Sequence, residues 1–299
     1  MQLPDNSEIF KSIVIEKIKT YCDTNIWPFE YELFAAWLGN FDCEIEEYVA
    51  LQMLDNLVVR SNDMAKASYA RLLHGPVRQF LKKHSPINTG SIQNWKTCLV
   101  NGSFKSQLRL SPVRLKTDEG ESGSVIYRML SNELDTNQYS LAIAGFQPEV
   151  IILIDDFIGG GRQFKEYAIE FELEKKLAKS LIIYCPLIAF EQGIAEIKNK
   201  YPKLHILPAE HIYKSDGLFY GDLAACFKND QQNTLADVKE FLRVMHRKYA
   251  PGMPHCFGYQ DAGLPLAFEW GCPNQSPSLL YLQYSRSKNN WQQLFSRRS

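Results

Sequence analysis

No apolar run in the 299 residues reaches the roughly 18 needed for a membrane-spanning helix. Charge of neither sign dominates. Thirty-three Lys and Arg stand against 34 Asp and Glu, a net charge of −1. That balance gives no global electrostatic case for binding nucleic acid or an anionic membrane. Cys-x-x-Cys is also missing from the seven cysteines, which excludes the common zinc-ribbon and thioredoxin spacings. His246, His255, Cys256 and Cys272 fit no standard zinc spacing either, and the adjacent His255 and Cys256 need not face one another as a nucleophile pair. The start, Met1-Gln2-Leu3-Pro4-Asp5-Asn6, has no basic stretch leading into an apolar one. With an odd cysteine count, this points to reduced thiols and a cytoplasmic location.

What the chain has is one long, ordered signal. Val150-Ile151-Ile152-Leu153-Ile154 reads as a buried strand. Asp155 and Asp156 follow, then Phe157, Ile158 and the glycines Gly159, Gly160 and Gly161. Arg162 and Gln163 lead into a helical stretch from Phe164 to Leu173. Strand, acidic pair, glycine turn and helix make a phosphate site at the C-terminal edge of a parallel sheet. Glycines let backbone N–H groups converge on a phosphate, and the helix N-terminus adds favourable partial charge. The carboxylates suit ribose hydroxyls or a hydrated Mg²⁺. A P-loop would need Lys-Ser/Thr after its last glycine, and a dinucleotide fingerprint would have no acidic pair before its glycines. Neither pattern is met.

Around this centre the chain reads as a helical region over 1–85 and an α/β domain over 86–299. Apolar residues at Phe10, Ile13, Val14, Ile18 and Tyr21 follow the helical period, and Gly75-Pro76 is expected to break or kink a later helix. Residues 96–100 and 106–110 are expected strands, and 124–134 an expected crossover helix. Beyond the glycine turn, 181–185 reads as a strand ended by Pro186. A helix at 191–200, a strand at 204–207 and a helix at 236–249 follow. Strands alternating with helices imply a parallel sheet flanked by helices. The segment 255–274 reads as a loop packed on a sheet. Its Tyr259, Phe268 and Trp270 fit a core, with a nucleobase platform left open.

The run Ile151 to Ile158 resembles the phosphoribosyl-diphosphate (PRPP) motif of type I phosphoribosyltransferases: four apolar residues, an acidic pair, two more apolar residues and a loop of small residues. That loop usually carries Ser or Thr, whose hydroxyls hold the 5′-phosphate. Here it is Gly159-Gly160-Gly161-Arg162-Gln163. The resemblance implies that Asp155 and Asp156 act on ribose, that the loop holds the 5′-phosphate, and that Mg²⁺ arrives with the diphosphate and water rather than on direct protein ligands. Arg109, Arg114 and Lys116, before and within the turn-rich segment 111–123, become candidate diphosphate cations.

The tail narrows the resemblance. Gly263-Leu264-Pro265, Cys272-Pro273-Asn274 and Trp291-Gln292-Gln293-Leu294-Phe295-Ser296-Arg297, with the helical segment around Trp37 to Arg60, look like the phosphoribosyltransferase-like family of bacterial conflict systems. Gln275 and Ser276 replace the usual Asn-Thr, and Gln293 replaces a proline. The resemblance implies an effector in anti-phage defence that binds PRPP or a related ribose-phosphate nucleotide. It also implies a protein partner encoded in the same operon, in some members a retron reverse transcriptase. Two expectations stay open: a phosphoribosyl transferase, or an inactive relative serving as nucleotide sensor or scaffold.

Overall fold

The computed structural model describes residues 1–115, 122–220, 227 and 230–297, with the backbone alone over 122–125. The chain forms two compact units, Met1–Ser61 with Tyr213–Ser299, and Asn62–Ile212. The two units meet in sequence at residues 61–62 and 212–213. Among the described residues no helix is long and apolar enough to cross a membrane.

The discontinuous unit begins with three helices, α1 (Ser7–Asp23), α2 (Tyr31–Leu38) and α3 (Glu44–Asp55), followed by a short strand β1 (Val58–Arg60). α1 forms as expected and buries Val14 and Ile18, with Cys22 one turn on, but Ile13 of the expected apolar set is 61% exposed. The apolar residues Tyr48 to Leu51, Met53 and Leu54 of α3 are also buried. The C-terminal segment adds helix α11 (Leu235–Tyr249), capped by Thr234 and Asp237, and strand β7 (Leu266–Phe268). β7 pairs in parallel with β1, Val58 opposite Leu266, so the tail is built into the core rather than trailing from it. Buried polar contacts reinforce the closure. Tyr249 Oη donates to Glu46 Oε2 at 2.6 Å, and Lys248 reaches the other Glu46 oxygen at 2.7 Å.

The second unit opens with α4 (Asn62–Leu72) and α5 (Arg78–His84). Pro76 does not end the helical path between them. A π-turn over Leu73–Val77 absorbs the missing N–H. Residues 96–100 are not a strand but the end of α6 (Ile92–Val100). Ser91 caps this helix by accepting from Asn94 N at 3.1 Å, and Trp95 and Leu99 are buried at helical spacing. Strand β2 (Leu108–Pro112) and helix α7 (Ser122–Met129) precede the central strand β3 (Val150–Ile158). α8 (Arg162–Glu170), α9 (Leu173–Leu177), β4 (Leu181–Phe190) and α10 (Glu191–Lys200) follow. The unit closes with β5 (His205–Ile206) and β6 (Glu210–Ile212).

These strands form one parallel sheet in the order β2-β3-β4-β5, with β6 also on β4. The mixed α/β architecture with a parallel sheet matches the expected fold class. β5 and β6 share the edge of β4, at residues 183–184 and 188–190. The expected strand at 204–207 is therefore only two residues long.

Two strands run further than their sequences suggest. β4 continues through Pro186, and β3 includes the acidic pair rather than ending before it. Both extensions depend on a local break in the ladder. Asp155 pairs with Pro186 and Phe157 with Ile188, but Asp156 and Leu187 are skipped. The side-chain alternation slips at the same point. Ile151 and Leu153 share a core cluster with Ile158, while Ile182 and Tyr184 share it with Ala189. Pro186 sits where the ladder makes no demand for its absent N–H, and its carbonyl accepts from Ala209 N at 3.0 Å.

Tyr69 of α4 plugs this break. Its fully buried hydroxyl lies on the carbonyl oxygens of Asp155 and, at 2.9 Å, Cys185. Burial, with the nearby Asp155 charge, pushes the phenol well above its ordinary range, so it stays a donor. Replacing Tyr69 with Phe leaves two buried carbonyls short of a partner. It is expected to cost about 1–3 kcal/mol, read as a lowered urea midpoint; an unchanged midpoint would show that the hydroxyl does not hold the strands together.

Candidate functional site

The site grows from the end of β3. Strand alternation places Asp155 on the same face as Ile151 and Leu153, where it meets Tyr184 from β4. Tyr184 Oη donates to Asp155 Oδ2, and the Asp156 amide donates to Asp155 Oδ1 at 2.9 Å. Both carboxylates are enclosed, with Asp155 3% and Asp156 0% exposed. Burial first, and the Asp155 charge second, raise the Tyr184 phenol well above its ordinary range. It therefore remains a proton donor to the carboxylate. Phe164 of α8 stacks on Tyr184 with ring centroids 4.2 Å apart, which fixes the tyrosine from its other face. Tyr167, one helical turn on, reaches Ser111 Oγ at 3.3 Å.

After Ile158 the chain turns through Gly159 and Gly160, both half-buried, to Gly161. Gly161 has φ +73° and caps α8 in the left-handed conformation. The next amides, of Arg162 and Gln163, open the helix and have no intrahelical acceptor. The turn is pressed against α10. A Cβ on Gly193 would fall 2.0 Å from Gly159 O and 2.6 Å from Ile158 Cγ2. Glycine is needed at 193 because the loop backbone occupies the space a side chain would take. Gly193 thus shapes the loop from a distance of more than thirty residues in sequence.

The candidate residues separate by place. Asp155, Asp156, Gly159, Gly160, Gly161, Arg162 and Gln163 lie together at the C-terminal edge of β3. Arg162 is exposed and its Nε pairs with Glu166 at 2.8 Å, one turn along the helix surface. Arg114 joins this edge. It is exposed and directly follows Val113, whose amide donates to Ile154 O at 2.8 Å. Arg109 does not. It stands opposite Ile151, four residues before Asp155, inside β2. Its guanidinium is buried, donates to Gln138 O and lies over the Phe146 ring at 5.0 Å. These contacts hold Arg109 within the sheet, away from the C-terminal edge of β3. Lys116 lies outside the described residues.

The tyrosines are the part that sequence reasoning missed. Tyr184 carried a usable signal, since a hydroxyl inside the apolar run Leu181 to Cys185 must find a partner when buried. Tyr69 carried none, because nothing in a helix sequence says which carbonyl a tyrosine will reach.

Among the described residues no group of three His, Cys, Asp or Glu side chains could hold a metal ion.

Gly193→Ala forces the glycine turn to move. It is expected to lower stability by about 1–3 kcal/mol, seen as a fall in the thermal midpoint; a midpoint equal to wild type would show that the turn has room there.

Comparison with curated proteins finds no match. A family model described as PRTase-CE matches residues 34–297, which takes in the central sheet, the acidic pair, the glycine turn and the tail motif. The chain therefore belongs to the PRTase-CE family, a phosphoribosyltransferase-type family.

Proposed function

We propose that this chain is a phosphoribosyltransferase-like effector of bacterial anti-phage defence that binds PRPP or a related ribose-phosphate nucleotide through Asp155, Asp156 and the glycine turn. The observation that carries the reading is the order of parts at the C-terminal end of a central parallel strand: acidic pair, Gly159 to Gly161, then the N-terminus of α8. Family membership supports it. The defence role rests on the tail resemblance, as does a protein partner from the same operon, such as a retron reverse-transcriptase complex.

In this reading the amides of the glycine turn, Arg162 and Gln163 hold the 5′-phosphate, and Arg114 offers charge to the diphosphate. Asp155 and Asp156 accept from the ribose hydroxyls. The reaction such a site supports is glycosyl transfer at ribose C1. The bond from C1 to the diphosphate oxygen breaks, the electron pair leaves with diphosphate, and an acceptor forms the new bond to C1. The two carboxylates stabilise the positive charge that develops on the ribose. Mg²⁺ bound with the diphosphate would neutralise the leaving group.

A second reading is favoured by one specific feature. The acidic pair is closed off, and Asp155 already accepts from Tyr184. Ribose must displace that hydroxyl to engage Asp155. The loop also lacks the Ser or Thr hydroxyls that hold phosphate in turnover enzymes. Both points favour a nucleotide sensor or partner scaffold without turnover.

Calorimetric titration with PRPP and Mg²⁺ tests the proposal. Wild type should bind saturably, and the Asp155→Asn, Asp156→Asn double variant should bind at least about 100-fold more weakly, from two lost charge-assisted contacts. Equal binding in the two proteins would remove the acidic pair from the site. Diphosphate release in the presence of acceptor pools separates the enzyme from the sensor.

A further inference from the structure

The tail motif Trp291 to Arg297 has no part in the ribose-phosphate site, yet it is built with care. Its apolar half is an anchor in the discontinuous unit. Trp291 Nε1 donates to Leu282 O at 2.9 Å, Phe295 N donates to Leu280 O at 3.1 Å, and the Phe295 ring lies 5.4 Å from that of Phe29. Asn40 grips Gln292 from both sides, donating to its carbonyl at 2.8 Å and accepting from its amide at 2.9 Å. The polar half of the motif, Gln293, Ser296 and Arg297, lines a cleft.

This cleft has a volume of about 520 Å³ and lies wholly within the discontinuous unit. That size falls in the range of small-molecule sites, roughly 300–1,000 Å³. The end of α11 and the turn after it form one wall, and residues 281–286 form another. Of its tyrosines, Tyr249 is fully buried behind the wall and Tyr284 presents the open aromatic surface. Tyr249 is held in place by Glu46 at 2.6 Å, so that part of the wall is rigid. Tyr281 is buried, whereas Tyr284 is 69% exposed, a large ring presented to solvent beside the cleft.

The charges are one-sided. Arg286 and Arg297 line the cleft, and among the described residues no carboxylate does. Neither guanidinium has an ion pair or hydrogen bond among the described residues. Arg297 instead lies over the Tyr281 ring at 6.0 Å. Several other cations of the same unit are paired with acids. Lys248 and Lys288 both pair with Asp42, each at 3.0 Å, and Arg243 and Arg247 pair with Glu240 at 3.2 and 3.3 Å. An unpaired surface arginine is ordinary. Two in one cleft, with the exposed Tyr284 ring beside them and no acid among the described lining residues, form a surface that an anion carrying a planar ring would complete.

We infer that this cleft is a second ligand site, separate from the acidic pair, and that it takes a nucleotide. Arg286 and Arg297 hold the phosphates by charge-assisted hydrogen bonds, and the base stacks against Tyr284. Stacking of a base on an aromatic side chain is sequence-tolerant and adds to the electrostatic contact. The inference does not depend on PRPP binding at Asp155 and Asp156, because no residue is shared between the two sites.

The test is calorimetric titration of the full-length protein with ADP in buffer containing EDTA, which removes the divalent ion that a diphosphate at the acidic pair would require. Saturable binding is expected. Arg286→Gln or Arg297→Gln should weaken it at least about tenfold, and Tyr284→Ala severalfold. All three side chains are exposed, so the variants keep the fold, which circular dichroism checks. No saturable binding at millimolar ADP overturns the inference, as does an affinity unaltered in both arginine variants. Binding that survives those variants but disappears with Asp156→Asn moves the ligand to the acidic pair and overturns it too. Inorganic pyrophosphate serves as the second probe. Binding weaker than that of ADP supports the stacked base, and equal binding overturns the assignment to a nucleotide.

Discussion

Two adjacent carboxylates buried at the end of a parallel strand are the constraint on which the rest of the second unit depends. A buried carboxylate is costly unless hydrogen bonds reach it. Here the cost is met locally. Tyr184 donates to Asp155, and the Asp156 amide folds back on the same side chain. The tyrosine must then be held, which Phe164 does by stacking on it. The ladder skips Asp156 and Leu187, and next to that skip the Tyr69 hydroxyl reaches the carbonyls of Asp155 and Cys185. Helices α4 and α8 are therefore tied to the acidic pair by tyrosine hydroxyls and ring contacts, not only by apolar packing.

The glycine turn answers a second constraint. To bring amides to one point, the chain must turn sharply and lie close to a neighbour. Gly161 provides the left-handed residue, and Gly193 gives up its side chain so that Gly159 can approach. The result is a backbone surface without hydroxyls. Amides and a helix N-terminus can attract an anion unaided, but they do so with less specificity than side-chain donors added to the same loop. This is why the acidic pair and the loop pull the functional reading in different directions. The proposed ribose contacts rest on the pair, whereas the closed carboxylates and the hydroxyl-free loop support the alternative proposal of a sensor without turnover.

Much of the architecture was legible in the sequence. The run Val150 to Ile154 reads as a buried strand, and the alternation after Gly161 implies a parallel sheet. The acidic pair and the glycines stand where the sequence puts them, at the C-terminal end of that strand and in the turn after it. What was not legible depended on partners far along the chain. Pro186 looks like a stop until Asp155 is seen paired opposite it, next to the skipped Asp156 and Leu187. Lys96 to Val100 looks like a strand until Ser91 is seen capping a helix that buries Trp95 and Leu99. Arg109 looks like a free cation until Gln138 and Phe146 enclose it. The division at residues 61 and 212 was hidden because β1 pairs with β7, some two hundred residues later. The tail could be recognised as a motif, but its separation into an apolar anchor and a polar cleft wall needed the fold.

The most direct test of a ribose-phosphate site reads the amides themselves. Hydrogen–deuterium exchange of the peptide spanning Gly159 to Phe164 should slow when PRPP and Mg²⁺ are added, because the phosphate takes up the N–H groups of the turn and of the start of α8. Slowing there, with the peptides of β5 and β6 unchanged, is the predicted result. Exchange of that peptide unaltered by saturating ligand would contradict the account, since a phosphate held by this backbone must protect it.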